Sequence, residues 1–244
     1  MKDREIDEIL SQAAPAPRQL EPGVAARIAE GLRPSMRPVR PLPPPWMLVA
    51  GLWLIIAAVA FAGAYRAGFD GIEKMDLSMR ILIFPTLAIL AWMDARELVN
   101  AMIPGSRRRF SAGTLLAATV GLLLGVFALL FHDYQTTQFV SAGIACLITG
   151  LLHAAPAALL SWLLLRRGFA MKPVSAGLIA GTLAGLAGLG VLELHCVNFQ
   201  AMHILVWHTA VVPASGALGA LAGWIAGFLS RLQLRRGGAS MNRK

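Results

Sequence analysis

Six long apolar runs, separated by short polar connections, constrain the fold more than any other feature of the sequence. A helix that crosses the roughly 30 Å hydrocarbon core of a bilayer needs about 20 such residues. The sequence therefore predicts an all-α, multi-pass membrane protein whose six transmembrane helices form one bundle over residues 46–230. The predicted spans cover about residues 46–65, 81–103, 114–131, 139–165, 174–194 and 203–229.

The composition excludes an ordinary soluble protein. Hydrophobic residues make up 57% of the chain and charged residues only 14%, whereas soluble domains carry about 25% charged residues. The net charge of +9 lies in short clusters between the apolar runs, which is typical of membrane proteins. We therefore predict contact with anionic lipid head groups and no direct binding of nucleic acid.

The distribution of basic residues predicts the orientation of the bundle. Eighteen of the 22 Lys and Arg residues lie in the N-terminal segment, in the loops after the second and fourth spans, and in the C-terminal tail 231–244. The loops around residues 66–80, 132–138 and 195–202 together hold three. Because cytoplasmic loops carry the excess of Lys and Arg, both termini are predicted to be cytoplasmic and these three loops to face outward.

The N-terminal segment, residues 1–45, is proline-rich and charged but carries two short apolar stripes with helical spacing. Neither stripe is long enough to form a stable helix alone in water. Two unpartnered amphipathic stripes favour a segment that folds on a partner protein; the alternative is a disordered tail. The predicted partner-binding residues are Ile6, Ile9, Leu10, Val24, Ile28 and Leu32.

Glycines recur every four residues in the fifth and sixth spans. Such stripes let helix backbones approach closely, and this packing drives helix association in membranes. Packing within the chain is favoured over the alternative, a homodimer face or sliding interface. The helix-packing residues are Gly177, Gly181, Gly185, Gly219, Gly223 and Gly227.

Two cysteines, Cys146 and Cys196, are predicted on the outward side of the membrane. In a Gram-negative cell that side is oxidising, so a reversible disulfide is the favoured interpretation, against two unrelated small apolar residues. A soft-metal site formed by Cys146, His195, Cys196 and His203 is the less favoured alternative. His208 is excluded from that set because five residues of ideal helix separate it from His203 by about 140°.

The second span carries three charges, Asp94, Arg96 and Glu97. Charges inside a membrane commonly mark a functional site, but they also occur where a helix leaves the membrane early, and the sequence leaves both interpretations open. If they line a path, the chain is a small transporter or channel, while a thiol-redox membrane enzyme is a third class. The sequence contains no CxxC, HExxH, GxSxG or Walker motif, so neither catalysis nor a cofactor is predicted.

A constellation of residues across nearly the whole chain resembles the NrsF family of negative regulators of sigma factor F. This resemblance implies a six-span bacterial inner-membrane anti-sigma factor that takes part in a stress response. It implies that residues 1–45 hold an extracytoplasmic-function (ECF) sigma factor, and that Cys146 and Cys196 form a periplasmic pair linked to sensing of metal or oxidative stress. The chain differs from many members at Trp207-His208, where they have Trp-Tyr. The residues that carry the resemblance are Pro104-Gly105, Cys146, Pro156, Leu165-Arg166-Arg167-Gly168, Leu194-His195-Cys196, His203, Trp207-His208, Gly216, Gly219 and Gly223.

Overall fold

The structure, a computed structural model, describes residues 22–32, 42–103, 105–106, 109–165, 168 and 170–241. All regular secondary structure within these residues is helical. Six of the helices are long and apolar enough to cross a membrane, which confirms the predicted all-α class with six transmembrane helices. The helices are α1 (Pro22–Leu32), α2 (Pro45–Ala67), α3 (Asp70–Lys74), α4 (Leu77–Met102), α5 (Ala112–Leu130), α6 (Phe139–Leu165), α7 (Pro173–His195), α8 (Ala201–His203), a π-helical turn (Ile204–His208) and α9 (Thr209–Met241).

The membrane helices begin and end within a few residues of the predicted spans, apart from two ends. Helix α4 begins at Leu77 rather than near residue 81, because the Asp76 side chain caps it by accepting a 2.8 Å hydrogen bond from the Met79 backbone N–H. The α9 helix continues to Met241, so its helical backbone extends beyond the predicted span end at residue 229.

Helix α7 occupies the centre of the bundle. Every residue from Gly181 to Glu193 is buried, and the helix contacts α9 most extensively, followed by α6, α2 and α4. A helix that is buried on all sides needs small residues wherever a neighbouring backbone approaches it. The glycine content of α7 therefore reflects contact with several neighbours at once.

The glycine stripe of α7 lies directly against the glycine stripe of α9. A Cβ atom at Gly177 would collide with the carbonyl oxygen of Gly219, and one at Gly181 would collide with the carbonyl oxygen of Ser215. At the end of the same contact, a Cβ on Gly223 would strike the carbonyl oxygen of Pro173. These close backbone contacts lie within one chain, between α7 and α9.

Further glycines join α7 to α6 and α2. A Cβ at Gly188 would collide with the carbonyl oxygen of Gly150 on α6. On the other side of α7, a Cβ at Gly190 would lie 3.2 Å from the Cβ of Ala60 on α2. Helix α7 therefore packs closely against α2, the helix that directly follows the N-terminal segment.

The chain divides into two units, and the N-terminal unit comprises residues 1–41. Its described part is the α1 helix, which covers the second predicted apolar stripe. Ile28 on this helix is 50% exposed. The first stripe, Ile6, Ile9 and Leu10, lies outside the described residues.

Candidate functional site

Three connections meet at one end of the membrane bundle, which we call the loop end: residues 68–76, 131–138 and 196–200. The backbone N–H of Ala201 donates a 2.6 Å hydrogen bond to the carbonyl of Asp133. Gly71 of α3 lies so close to Cys196 that a Cβ there would be 2.8 Å from the Cys196 carbonyl oxygen. Contacts from two other connections therefore fix the backbone around Cys196.

The two cysteines of the chain meet at the loop end. Cys146 lies two turns into α6, and Cys196 directly follows the last residue of α7. Their Sγ atoms are 3.8 Å apart, and both are free thiols. Elements 50 residues apart in sequence thus bring the predicted pair into contact.

Two buried histidine rings complete the cluster. The Nε2 atom of His203 is 3.8 Å from the Cys196 Sγ atom, and the ring centroids of His203 and His208 are 5.1 Å apart. Both histidines are 1% exposed. One side-chain nitrogen or sulfur atom from each of Cys146, Cys196, His203 and His208 lies within 4.8 Å of the others; we call these four residues the Cys2His2 cluster.

A π-helical turn explains why His208 belongs to the cluster. Ile204–His208 is π-helical, and the Thr209 N–H donates to the carbonyl of Ile204 in the i→i+5 pattern of that helix. Residues five apart then face the same side, whereas an ideal α-helix separates them by about 140°. The sequence predicted a set of Cys146, His195, Cys196 and His203. The structure instead brings His208, and not His195, to the other three residues.

His195 points elsewhere. It is the last residue of α7, and its Nδ1 atom lies close to Gly68 in the connection between α2 and α3. In the described part of the chain this nitrogen has no hydrogen-bond partner. Proximity in sequence to Cys196 did not bring its ring to the thiols.

Glu193 supports the cluster from behind. Its Oε1 atom is 2.8 Å from the Nδ1 atom of His208, and both side chains are buried. Since a carboxylate only accepts, Nδ1 carries the hydrogen and donates it, which leaves Nε2 on the thiol side of the ring. Sequence analysis missed this residue, although the signal was present: Glu193 is the only charged residue within the 174–194 run, and a carboxylate in a membrane span needs a partner.

The surroundings of Cys196 act on its ionisation in both directions. Contact with the Cys146 thiol and burial raise the pKa of the Cys196 thiol, while His203 and His208 lower it. Cys196 and its three neighbours thus combine the two chemistries of thiols beside imidazoles: oxidation to a disulfide, and coordination of a soft cation.

The charged triplet of α4 divides between the bundle and its surface. Asp94 and Glu97 are buried, at 0% and 3% exposure, while Arg96 is exposed. Neither carboxylate oxygen of Asp94 has a hydrogen-bond partner among the described residues. The two acids therefore face the interior of the bundle, and Arg96 faces outward from it.

The fold and the site together define a multi-pass helical membrane protein with a thiol–imidazole cluster at one end and a separate amphipathic N-terminal segment. The chain matches the sequence model of the NrsF family, described as negative regulator of sigma F, over residues 29–226. It belongs to this family. It is therefore a negative regulator of a sigma factor, and a sigma factor is its partner. No curated protein and no solved structure gave a match.

Proposed function

We propose that this protein is an inner-membrane anti-sigma factor with both termini in the cytoplasm. It holds an ECF-type sigma factor through its N-terminal segment and releases it when a periplasmic stress changes the state of Cys146 and Cys196. The single observation that carries this proposal is the 3.8 Å separation of the two thiols in a member of a family of sigma-factor regulators.

We assign binding of the sigma factor to the N-terminal segment because that segment carries an apolar face and is not itself a membrane span. Helix α1 has 11 residues, fewer than the 12–15 or so that an isolated helix needs in water. Ile28 is half exposed on it. Docking of this face in a groove on the sigma factor supplies the missing contact, as amphipathic helices do elsewhere.

The signal is assigned to a redox change of the cysteine pair. An oxidising disulfide, RSSR, takes two electrons and two protons from the thiols of Cys146 and Cys196 and leaves as two RSH molecules. The Sγ atoms then join in a bond of about 2.05 Å, so that the end of α7 is drawn towards α6. The reaction is reversed by a reducing thiol.

The contacts of α7 offer a path from this change to the N-terminal segment. Cys196 directly follows α7, and α7 touches α2 where Gly190 meets Ala60. The α2 helix begins at Pro45, where the N-terminal segment ends. A displacement of α7 along its glycine contacts therefore changes the position of α2 and, through the chain, of the sigma-binding segment.

A pull-down tests capture. Full-length protein and a form that lacks residues 1–45 are purified in detergent from their own cells, and the bound proteins are identified by mass spectrometry. The proposal expects a sigma factor with the full-length protein alone. A sigma factor that is absent from both samples, in cells that express one, contradicts the proposal and favours a transporter, whose activity should survive the deletion.

Oxidation of the membrane protein should consume two thiols at once. Treatment of the full-length protein with an excess of a small oxidising disulfide is expected to remove both free thiols and to form one intramolecular bond, because the sulfur atoms already touch. The measurement is thiol labelling with mass analysis before and after reduction. With Cys146→Ser, the remaining thiol should instead end as a mixed disulfide; the same product in the unsubstituted protein would refute intramolecular pairing.

A further inference from the structure

A disulfide needs two cysteines, but the Cys2His2 cluster contains more than that reaction uses. Two buried imidazoles, a π-helical turn and a buried carboxylate surround the thiols. Buried polar groups inside a membrane bundle are costly and usually functional. In the described part of the chain, the Nε2 atom of His208 and the Nδ1 atom of His203 have no hydrogen-bond partner.

The spacing of the four groups matches a tetrahedral metal centre. With Zn–S bonds of about 2.3 Å and Zn–N bonds of about 2.0–2.1 Å, two sulfurs bound to one tetrahedral zinc are about 3.8 Å apart and a sulfur and a nitrogen about 3.6 Å apart. The Sγ atoms of Cys146 and Cys196 are 3.8 Å apart, and Cys196 Sγ and His203 Nε2 are also 3.8 Å apart. The longest separation within the set is no more than 4.8 Å.

Glu193 completes the pattern of a metal-binding histidine. A histidine ligand almost always donates its second ring N–H to a carboxylate, a carbonyl or water, which fixes the ring and makes the other nitrogen a better ligand. Glu193 accepts that hydrogen bond from His208 at 2.8 Å. The nitrogen that remains, Nε2, is the one without a partner among the described residues.

We propose that Cys146, Cys196, His203 and His208 bind one borderline or soft cation of the zinc class in tetrahedral geometry, with Glu193 orienting His208. Two thiolates and two imidazoles form a closed Cys2His2 set, which has the ligand number of a structural zinc site. Binding and disulfide formation compete for the same sulfur atoms, so the cation holds the thiols reduced and oxidation expels it. The role of the cation in controlling the sigma factor rests on the proposed function, whereas binding of the cation itself requires no sigma factor.

The test uses the full-length protein in detergent, reduced and freed of metal, with Zn²⁺ and Co²⁺ as probes. We expect one Zn²⁺ per chain, a Co²⁺ spectrum with thiolate charge-transfer and tetrahedral bands, and slower alkylation of both cysteines when Zn²⁺ is present. Oxidation to the disulfide should abolish uptake, and reduction should restore it. Zn²⁺ that leaves the alkylation rate of both cysteines unchanged would overturn the proposal.

Variants separate the proposed ligands from other histidines. His208→Gln and Cys196→Ser should each weaken Zn²⁺ binding by at least about 100-fold, and Glu193→Gln by about 10–100-fold, as for other groups that orient a ligand. His132→Gln and His195→Gln are matched controls, since neither ring belongs to the cluster, and should bind as the unsubstituted protein does. Far-UV helicity without metal shows that each variant is folded; a folded His208→Gln that binds normally removes His208 from the site.

The same preparations distinguish this inference from the proposed function. Loss of Zn²⁺ binding in a variant that still co-purifies with a sigma factor is expected. If the unsubstituted protein binds no Zn²⁺ but releases its sigma factor on oxidation, the metal site is refuted and the redox function stands. If Zn²⁺ binds with the expected stoichiometry and no sigma factor is ever recovered, the metal site stands and the proposed capture fails.

Discussion

Replacement of Val24 and Ile28 by Asp should abolish capture of the sigma factor. The two residues lie four apart on α1 and share its apolar face, and Ile28 is 50% exposed. Buried apolar anchors of a docked helix commonly contribute about 2 kcal/mol each, so the double substitution should weaken binding by at least about 100-fold. Co-purification of the sigma factor with the full-length membrane protein measures this loss.

Ala26→Asp is the matched control on the same helix. Ala26 is exposed and lies on the face of α1 opposite Val24 and Ile28, since two residues of helix correspond to about 200°. The substitution adds a negative charge to the same segment and leaves the apolar face unchanged. Equal loss of sigma factor with Ala26→Asp and with the double variant would mean that charge, rather than the apolar face, governs capture.

Gly181→Leu should strongly destabilise the membrane bundle. A Cβ at this position collides with the carbonyl oxygen of Ser215 on α9, and backbone atoms cannot yield as a flexible side chain can. Helices α7 and α9 must then separate along their whole contact, at a cost on the order of 3 kcal/mol or more. Thermal unfolding in detergent, followed by helicity and aggregation, measures the effect.

Gly125→Leu is the control for the effect of adding a large side chain to a membrane helix. Gly125 is an exposed glycine of α5, and a Cβ there meets no atom within 4 Å. The unfolding temperature of the Gly125→Leu variant should therefore be close to that of the unsubstituted protein. An equally stable Gly181→Leu variant would show that the α7–α9 contact is not the one that the bundle depends on.

Hydrophobic run length was enough to predict the architecture. Each membrane helix needs about 20 apolar residues, and the six runs in the sequence became six helices with ends at nearby residues. The glycine spacing of the fifth and sixth runs likewise predicted close helix packing within the chain, and in the structure Gly177 and Gly219 are in backbone contact. In a bilayer these local patterns leave little choice of secondary structure, because every backbone polar group must be satisfied within its own helix.

The composition of the Cys2His2 cluster could be predicted only in part. The span boundaries alone placed Cys146, Cys196 and His203 on the outward side of the membrane. His195 was added to the predicted metal site because it precedes Cys196 in the sequence. His208 was left out because an ideal helix would point it away from His203. The π-helical turn at Ile204–His208 reverses that argument. The periodicity of apolar residues does not reveal such a turn, in which the backbone hydrogen bonds run from i to i+5 instead of from i to i+4.

The most direct test of the proposed function is the amount of sigma factor retained by the purified complex in its two redox states. The complex of full-length protein and sigma factor is immobilised in detergent and divided between a reducing thiol and an oxidising disulfide, and the released sigma factor is quantified. The account predicts retention in the reduced state, release in the oxidised state, and retention in both states with Cys146→Ser. Equal retention by the unsubstituted protein in the two states, with the disulfide verified by mass, would contradict it.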